Sequence, residues 1–207
     1  MYIINSNVLE IGQEKISDLK FSSPIHLSYI EVESLQEIKQ NVFSFIKNNR
    51  KDFIKPWACS TLSNIKSSKT NPFNNKLLNN IIKQHTIAYC NKLNFDPTHT
   101  KLTELWINVS PKNGFQEYHT HNAFGQSFIL SGALYIQSNN NSGDLMLKNP
   151  ILNFTNIFPD CNITSDIRIP PLEGTIVLFP SFLPHCVLPN LNSQKRVSIS
   201  WNIELKQ

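Results

Sequence analysis

Three histidines and one arginine carry the chemistry available to this chain. His119-Thr120-His121 closes the run Phe115-Gln-Glu-Tyr-His-Thr-His, which reads as the end of a strand. Side chains at i and i+2 of a strand project in parallel, so both imidazoles stand on one side and can chelate a single metal ion. Two histidines near a turn are also an ordinary surface feature, and the pair alone decides nothing. His185, on a distant strand, changes the weighting: two ligands from one strand and a third from a late one form a facial set with positions open for substrate and oxygen. Eleven positions beyond His185 comes Arg196, opening Arg-Val-Ser-Ile-Ser-Trp-Asn. A period of two puts Arg196, Ser198, Ser200 and Asn202 on one face, and Val197, Ile199 and Trp201 on the other. Facing bulk water, Arg196 would be a surface cation. Lining the mouth of a small barrel, it would be an anion site beside a histidine, because its planar fork pairs bidentately with a carboxylate.

These residues need strands to position them, and the second half of the chain supplies the pattern. From Lys101 onward, eight short β-prone runs alternate with turns: Leu102 to Val109, Phe115 to His121, Ser127 to Gln137, Asp144 to Lys148, Ile167 to Ile169, Thr175 to Phe179, His185 to Leu188, and Arg196 to Asn202. The first half predicts short strands at Met1 to Ile4 and Ile25 to Ile30, then two helices. One opens at the capping box Ser34-Leu-Gln-Glu37 and carries Leu35, Ile38, Val42, Phe45 and Ile46 on one stripe. The other runs from about Asn75 to Leu93 with Leu77, Leu78, Ile81, Ile82, His85, Ala88 and Tyr89 facing inward, His85 being read as a boundary histidine. Between them, residues 51–72 read as a Pro/Ser/Asn-rich loop able to cover or gate a site. Two helices followed by eight strands predict a mostly β fold with supporting helices. No linker divides the chain. We expect one domain over 1–207, with strands and helices in 1–98 supporting a metal-binding core in 99–207.

Composition narrows the class. Of the 207 residues, 40% are hydrophobic and 16% charged, which excludes a disordered polyelectrolyte. No apolar run approaches a membrane span, and the N-terminus lacks a basic-then-apolar layout, so a cytoplasmic protein with no membrane partner is expected. The net charge of +4 is spread along the chain, which argues against nucleic acid. Cys59, Cys90, Cys161 and Cys186 form no Cys-x-x-Cys pair and are read as buried, inert thiols.

The spacing from His185 through ten residues to Arg196-Val-Ser198 resembles the H-x10-R-x-S signature of 2-oxoglutarate-dependent Fe(II) oxygenases. More narrowly, Trp106-x-Asn108, His119-x-His121, Ser131-Gly132-x-x-Tyr135, Phe179-Pro-Ser-Phe-Leu-Pro-His185 and Arg196-Val-Ser-Ile-Ser-Trp-Asn202 together resemble a prolyl-hydroxylase-like group of these oxygenases from marine bacteria and phages. The resemblance covers about residues 100–205. It reaches the N-terminal half only through Phe21-Ser-Ser-Pro-Ile25 and the helices that follow.

The resemblance implies a double-stranded β-helix, the cupin-like jelly roll, holding Fe(II) through His119, His121 and His185. It implies 2-oxoglutarate as co-substrate, its distal carboxylate gripped by Arg196. Tyr135 matches a tyrosine that bonds the same carboxylate, and Asn108, Ser198 and Ser200 are implied to line the pocket. His121 stands where the superfamily carries Asp or Glu, so the triad is three neutral imidazoles and the Fe(II) complex keeps an extra positive charge. Three-histidine iron sites of this kind support oxygen chemistry in cupin dioxygenases. The implied activity is a dioxygenase that consumes O2, converts 2-oxoglutarate to succinate and hydroxylates a small-molecule or peptidyl substrate. A homo-oligomer is compatible with the sequence. Two other readings stay open: a three-histidine cupin-type metalloenzyme that does not use 2-oxoglutarate, and a non-catalytic jelly-roll ligand-binding module.

Overall fold

A computed structural model describes residues 9–11, 14–16, 23–67, 73–121, 127–149 and 166–206. The strand expected at Met1 to Ile4 and the thiol of Cys161 lie outside them. In the first half, β1 (Leu9–Ile11) pairs with β2 (Glu14–Ile16), and β3 (His26–Tyr29), α1 (Val32–Asn48), β4 (Leu62–Ser63) and α2 (Lys76–Lys92) follow. The second half is all strand: β5 (Thr100–Ser110), β6 (Gln116–His119), β7 (Phe128–Gln137), β8 (Leu145–Lys148), β9 (Asp166–Ile169), β10 (Thr175–Pro180), β11 (His185–Val187) and β12 (Arg196–Leu205). Each of the eight runs read from the alternation is one of these strands.

Apart from the β1-β2 pair, the described strands form two antiparallel sheets, a large one in the order β3-β10-β7-β12-β5-β4 and a small one in the order β6-β11-β8-β9. Every pairing is antiparallel, and successive strands alternate between the sheets from β5 to β8 and again from β9 to β12, the jelly-roll arrangement. The helices cover the outer face of the large sheet. There Leu35, Ile38 and Val42 of α1 and Leu78, Ile81, Ile82 and Tyr89 of α2 join Leu105, Ile107, Leu134, Ile136, Ile199, Trp201 and Ile203 in one core. Trp201 crosses so close to β7 that a Cβ on Gly132 would lie 2.3 Å from its ring. Only glycine fits beneath that indole. A smaller apolar cluster, Leu145, Leu147, Ile169, Val177, Phe179 and Leu183, fills part of the space between the sheets.

Two local expectations are revised. The helix start lies upstream of the Ser34 box: Glu31 occupies the N-cap position without a side-chain cap. The cause is the sheet edge, where the Ile30 amide bonds the Gly174 carbonyl at 3.0 Å and the chain enters the helix as soon as it is released. The supposed covering loop is, over 51–67, part of the scaffold. Leu62 and Ser63 pair with Val109 and Asn108; Thr61, Ser63 and Asn64 are buried; and Asn64 Oδ1 accepts the Ile107 amide at 2.7 Å. The second helix keeps its expected limits, with the Asn75 side chain accepting from the Leu78 amide at 2.9 Å. Its His85 sits at the boundary, Nδ1 2.9 Å from Nε2 of His26. No described helix is long and apolar enough to cross a membrane.

Candidate metal centre

The inner face of the large sheet is polar along one wall. Cross-strand partners share a face, so Arg196, Ser198, Ser200 and Asn202 of β12 align with Ser110, Asn108, Trp106 and Glu104 of β5. On the other side Ser198 aligns with Tyr135, and Asn202 with Ser131, of β7. The small sheet closes over this wall and brings the histidines to it. His119 ends β6 directly opposite His185 at the start of β11. His121 lies just beyond the strand, where its amide bonds the Ser181 carbonyl at 3.0 Å and the turn carries its ring back beside His119. The three rings offer one ligand atom each, all within 4.8 Å of one another. The expected constellation therefore forms, although His121 reaches it through a turn rather than by strand alternation.

Their hydrogen bonds settle which nitrogen faces inward. His119 Nδ1 lies 2.8 Å from the Glu117 carbonyl, and His185 Nδ1 lies 2.8 Å from the Leu183 carbonyl. A carbonyl only accepts, so each Nδ1 carries the proton and each Nε2 keeps its lone pair. Gln116 Nε2 lies 3.2 Å from His119 Nε2, a donor against that lone pair. Burial lowers the pKa of all three rings, His185 well below its usual value and His121 to about 4. Neutral imidazoles with fixed Nδ1 protons are what a metal ion requires of histidine. Glu117, on the same strand, is exposed and contributes only its carbonyl.

Arg196 is 4% exposed. One terminal nitrogen donates to the carbonyls of Ser142 at 2.6 Å and Gly143 at 2.8 Å, and the other to Ser110 Oγ at 3.0 Å. Gly143 is required here: its φ is +87°, and a Cβ would lie 2.0 Å from the Leu188 carbonyl and 2.8 Å from the guanidinium. No carboxylate forms an ion pair with Arg196 among the described residues. A buried cation held by neutral acceptors is suited to an anion that arrives with the ligand. Beside it, the Tyr135 hydroxyl is fully buried and its pKa is pushed up to about 12. Asn108 donates to Ser200 Oγ at 3.2 Å and leaves its buried Oδ1 without a partner among the described residues, as does the indole N–H of Trp106.

Residues 104–202 match the model of a family described as "Putative 2OG-Fe(II) oxygenase". That span holds the three histidines, Tyr135, Asn108 and Arg196. The chain resembles the 2-oxoglutarate/Fe(II) oxygenases over just under half of its length. Solved structures share the fold at low identity. A Pseudomonas putida prolyl-4-hydroxylase is 12% identical with a TM-score of 0.64, over 90% of this chain and 95% of that one. A Trichoplax adhaerens prolyl hydroxylase, in complex with a peptide fragment of the hypoxia inducible factor oxygen degradation domain, is 17% identical with a TM-score of 0.62, over 87% and 83%. HygX from Streptomyces hygroscopicus, with nickel, 2-oxoglutarate and hygromycin B bound, is 10% identical with a TM-score of 0.59, over 89% and 84%. No curated protein matches the chain.

The chain shares the jelly-roll fold, and the family matched over residues 104–202 is described by Fe(II) and 2-oxoglutarate. The donor set suits both: three inward Nε2 lone pairs for the ion, and a buried guanidinium with no ion pair among the described residues for an acid. Sequence reasoning missed the groups that hold these residues in place. The Ser142 and Gly143 carbonyls fix Arg196, and Asn202 and Ser131 fix His121. Asn202 and Ser131 stood in the motifs, but alternation gives the face of a residue and not its partner.

Proposed function

We propose that His119, His121 and His185 hold Fe(II) through their Nε2 atoms and that Arg196 binds the distal carboxylate of 2-oxoglutarate. Tyr135, Ser198 and Asn108 line that pocket. The observation that carries this reading is Arg196, a buried cation with no ion pair among the described residues, on the wall that meets the histidines. When bound, Fe(II) and 2-oxoglutarate supply the oxidising chemistry, in which the oxo acid loses CO2 to become succinate while a substrate C–H is hydroxylated by O2. The chain's own part is to keep three imidazoles neutral and aimed, to present one cation to the acid, and to keep water from the pocket with buried side chains.

The substrate we infer is a small molecule or a peptidyl group, since similar folds carry a peptide fragment in one case and hygromycin B in another. The enzyme acts in the cytoplasm, without a nucleic-acid partner. Residues 1–207 work as one domain, the helices of 1–98 packing on the large sheet of the 99–207 core.

The test is an anaerobic titration of metal-free protein with Fe(II) and 2-oxoglutarate, followed by visible absorption. A weak charge-transfer band that needs both additions and is lost in His185→Ala supports the assignment. Metal binding without that band would point instead to a three-histidine enzyme that does not use 2-oxoglutarate. Absence of metal binding would leave a ligand-binding module.

A further inference from the structure

His121 brings no negative charge to the site, yet a carboxylate stands two hydrogen bonds behind it. Asn202 Oδ1 lies 2.6 Å from His121 Nδ1, and Asn202 Nδ2 donates to Glu104 Oε2 at 2.9 Å. The orientations follow from donor chemistry. An ionised carboxylate only accepts, so Asn202 must turn its amide nitrogen to Glu104 and its oxygen to His121. That oxygen in turn requires the proton on His121 Nδ1, which leaves Nε2 as the inward lone pair. Ser131 Oγ braces the same corner, 2.7 Å from His121 Nδ1 and 2.9 Å from both Asn202 Oδ1 and Ser181 Oγ. Asn202 is 3% exposed, so water does not substitute for these bonds.

We infer that Glu104, acting through Asn202, is a positioning residue for His121, fixing its tautomer and lending it the negative charge that a histidine in the metal triad lacks. The inference rests on the three-histidine assignment above. A carboxylate that polarises the donor side of a ligating imidazole makes the other nitrogen a better donor, and loss of such partners typically weakens metal binding 10- to 100-fold. His119 and His185 bond only neutral carbonyls at Nδ1. Among the described residues, only His121 of the three is linked by hydrogen bonds to a carboxylate, through Asn202.

The experiment measures Co(II) and Ni(II) binding to the full chain by calorimetry, with Co(II) d–d absorption as a second readout. In Glu104→Gln, which keeps an acceptor for Asn202 but removes the charge, affinity is expected to fall about 10-fold or more, with the Co(II) bands shifted and thermal unfolding little changed. Adding Asn202→Asp to that variant puts a carboxylate directly on His121 Nδ1 and is expected to restore affinity. A purely structural role for Glu104 would lower the unfolding temperature without moving Co(II) affinity or its spectrum, and that result overturns the inference. His185→Ala separates the two levels. If it binds metal as the wild type does, the three-histidine assignment is wrong; if it fails to bind while Glu104→Gln binds normally, only the relay is wrong.

Discussion

The two faces of β12 are made from the same ten residues and do opposite work. Outward, Val197, Ile199, Trp201 and Ile203 are buried against the helices in the large core. Inward, Arg196, Ser198 and Asn202 are nearly as buried and Ser200 is partly so, but they meet hydroxyls, amides and carbonyls. The outer face gains from leaving water. The inner face takes on a desolvated guanidinium and a set of polar contacts that must all be met. One strand therefore carries the stability of the fold on one side and the cost of its chemistry on the other.

That contrast makes its sharpest forecast at Trp201, the largest wholly buried side chain of the strand. Trp201→Ala should destabilise the protein by about 3–5 kcal/mol, read as a fall in the urea midpoint. Metal affinity of the fraction that stays folded should be almost unchanged. A variant that stays stable and yet loses metal affinity would show that the two faces are not separable.

The residues that position the site were harder to read than those that form it. Residue type and spacing brought His119, His121, His185 and Arg196 forward, because few arrangements of three histidines and an arginine on strands have another use. The strands β5 to β12 were legible for a similar reason: a period of two survives wherever one face is buried. What stayed hidden depends on pairing across long loops. Asn202 and Glu104 are 98 residues apart, and nothing in their spacing announces that β5 and β12 place them opposite. The carbonyls that hold Arg196 lie 53 and 54 residues before it and, being backbone, have no side-chain signature. Residues 51–67 misled because Pro, Ser and Asn mark irregular chain without saying whether it is buried, and here Asn64 and Ser63 serve as sheet partners.

Of the two faces of β12, protonation can reach only the inner one and the histidines packed against it, since the outer face carries no titratable group. His121 has its pKa lowered to about 4, and His119 and His185 are lowered too, all chiefly by burial. Below the ordinary histidine value of 6.5 the unfolded chain takes up protons that the folded chain refuses. Stability is therefore complete above about pH 6.5 and declines as the pH falls toward 4. His26 and His85, also lowered, add to the same trend from outside the site. The urea midpoint of metal-free protein should thus drop between about pH 7 and pH 5. The drop should shrink in His121→Gln and persist in part in His26→Gln. An equal drop in His121→Gln and wild type would remove the inner face from the explanation.

The finest test sits at Arg196, where two terms oppose each other. Removing the guanidinium leaves the Ser142 and Gly143 carbonyls and the Ser110 hydroxyl short of a donor, at a cost of about 1–3 kcal/mol for each group that stays unsatisfied. Removing it also relieves the protein of a buried charge that makes no ion pair among the described residues, which replacement by an apolar side chain commonly turns into a gain of similar size. Arg196→Met keeps the buried stem and should therefore change stability by only about 1 kcal/mol in either direction. Metal affinity should hold, because no histidine touches the arginine. The effect should appear in the co-substrate: 2-oxoglutarate affinity, measured by its displacement of water from Co(II)-loaded protein, should fall by at least about 10-fold, as expected when a charge-assisted bidentate pair is lost. If Arg196→Met instead unfolded the protein as Trp201→Ala does, the guanidinium would be part of the scaffold, and the division of labour between the two faces of β12 would fail at its first residue.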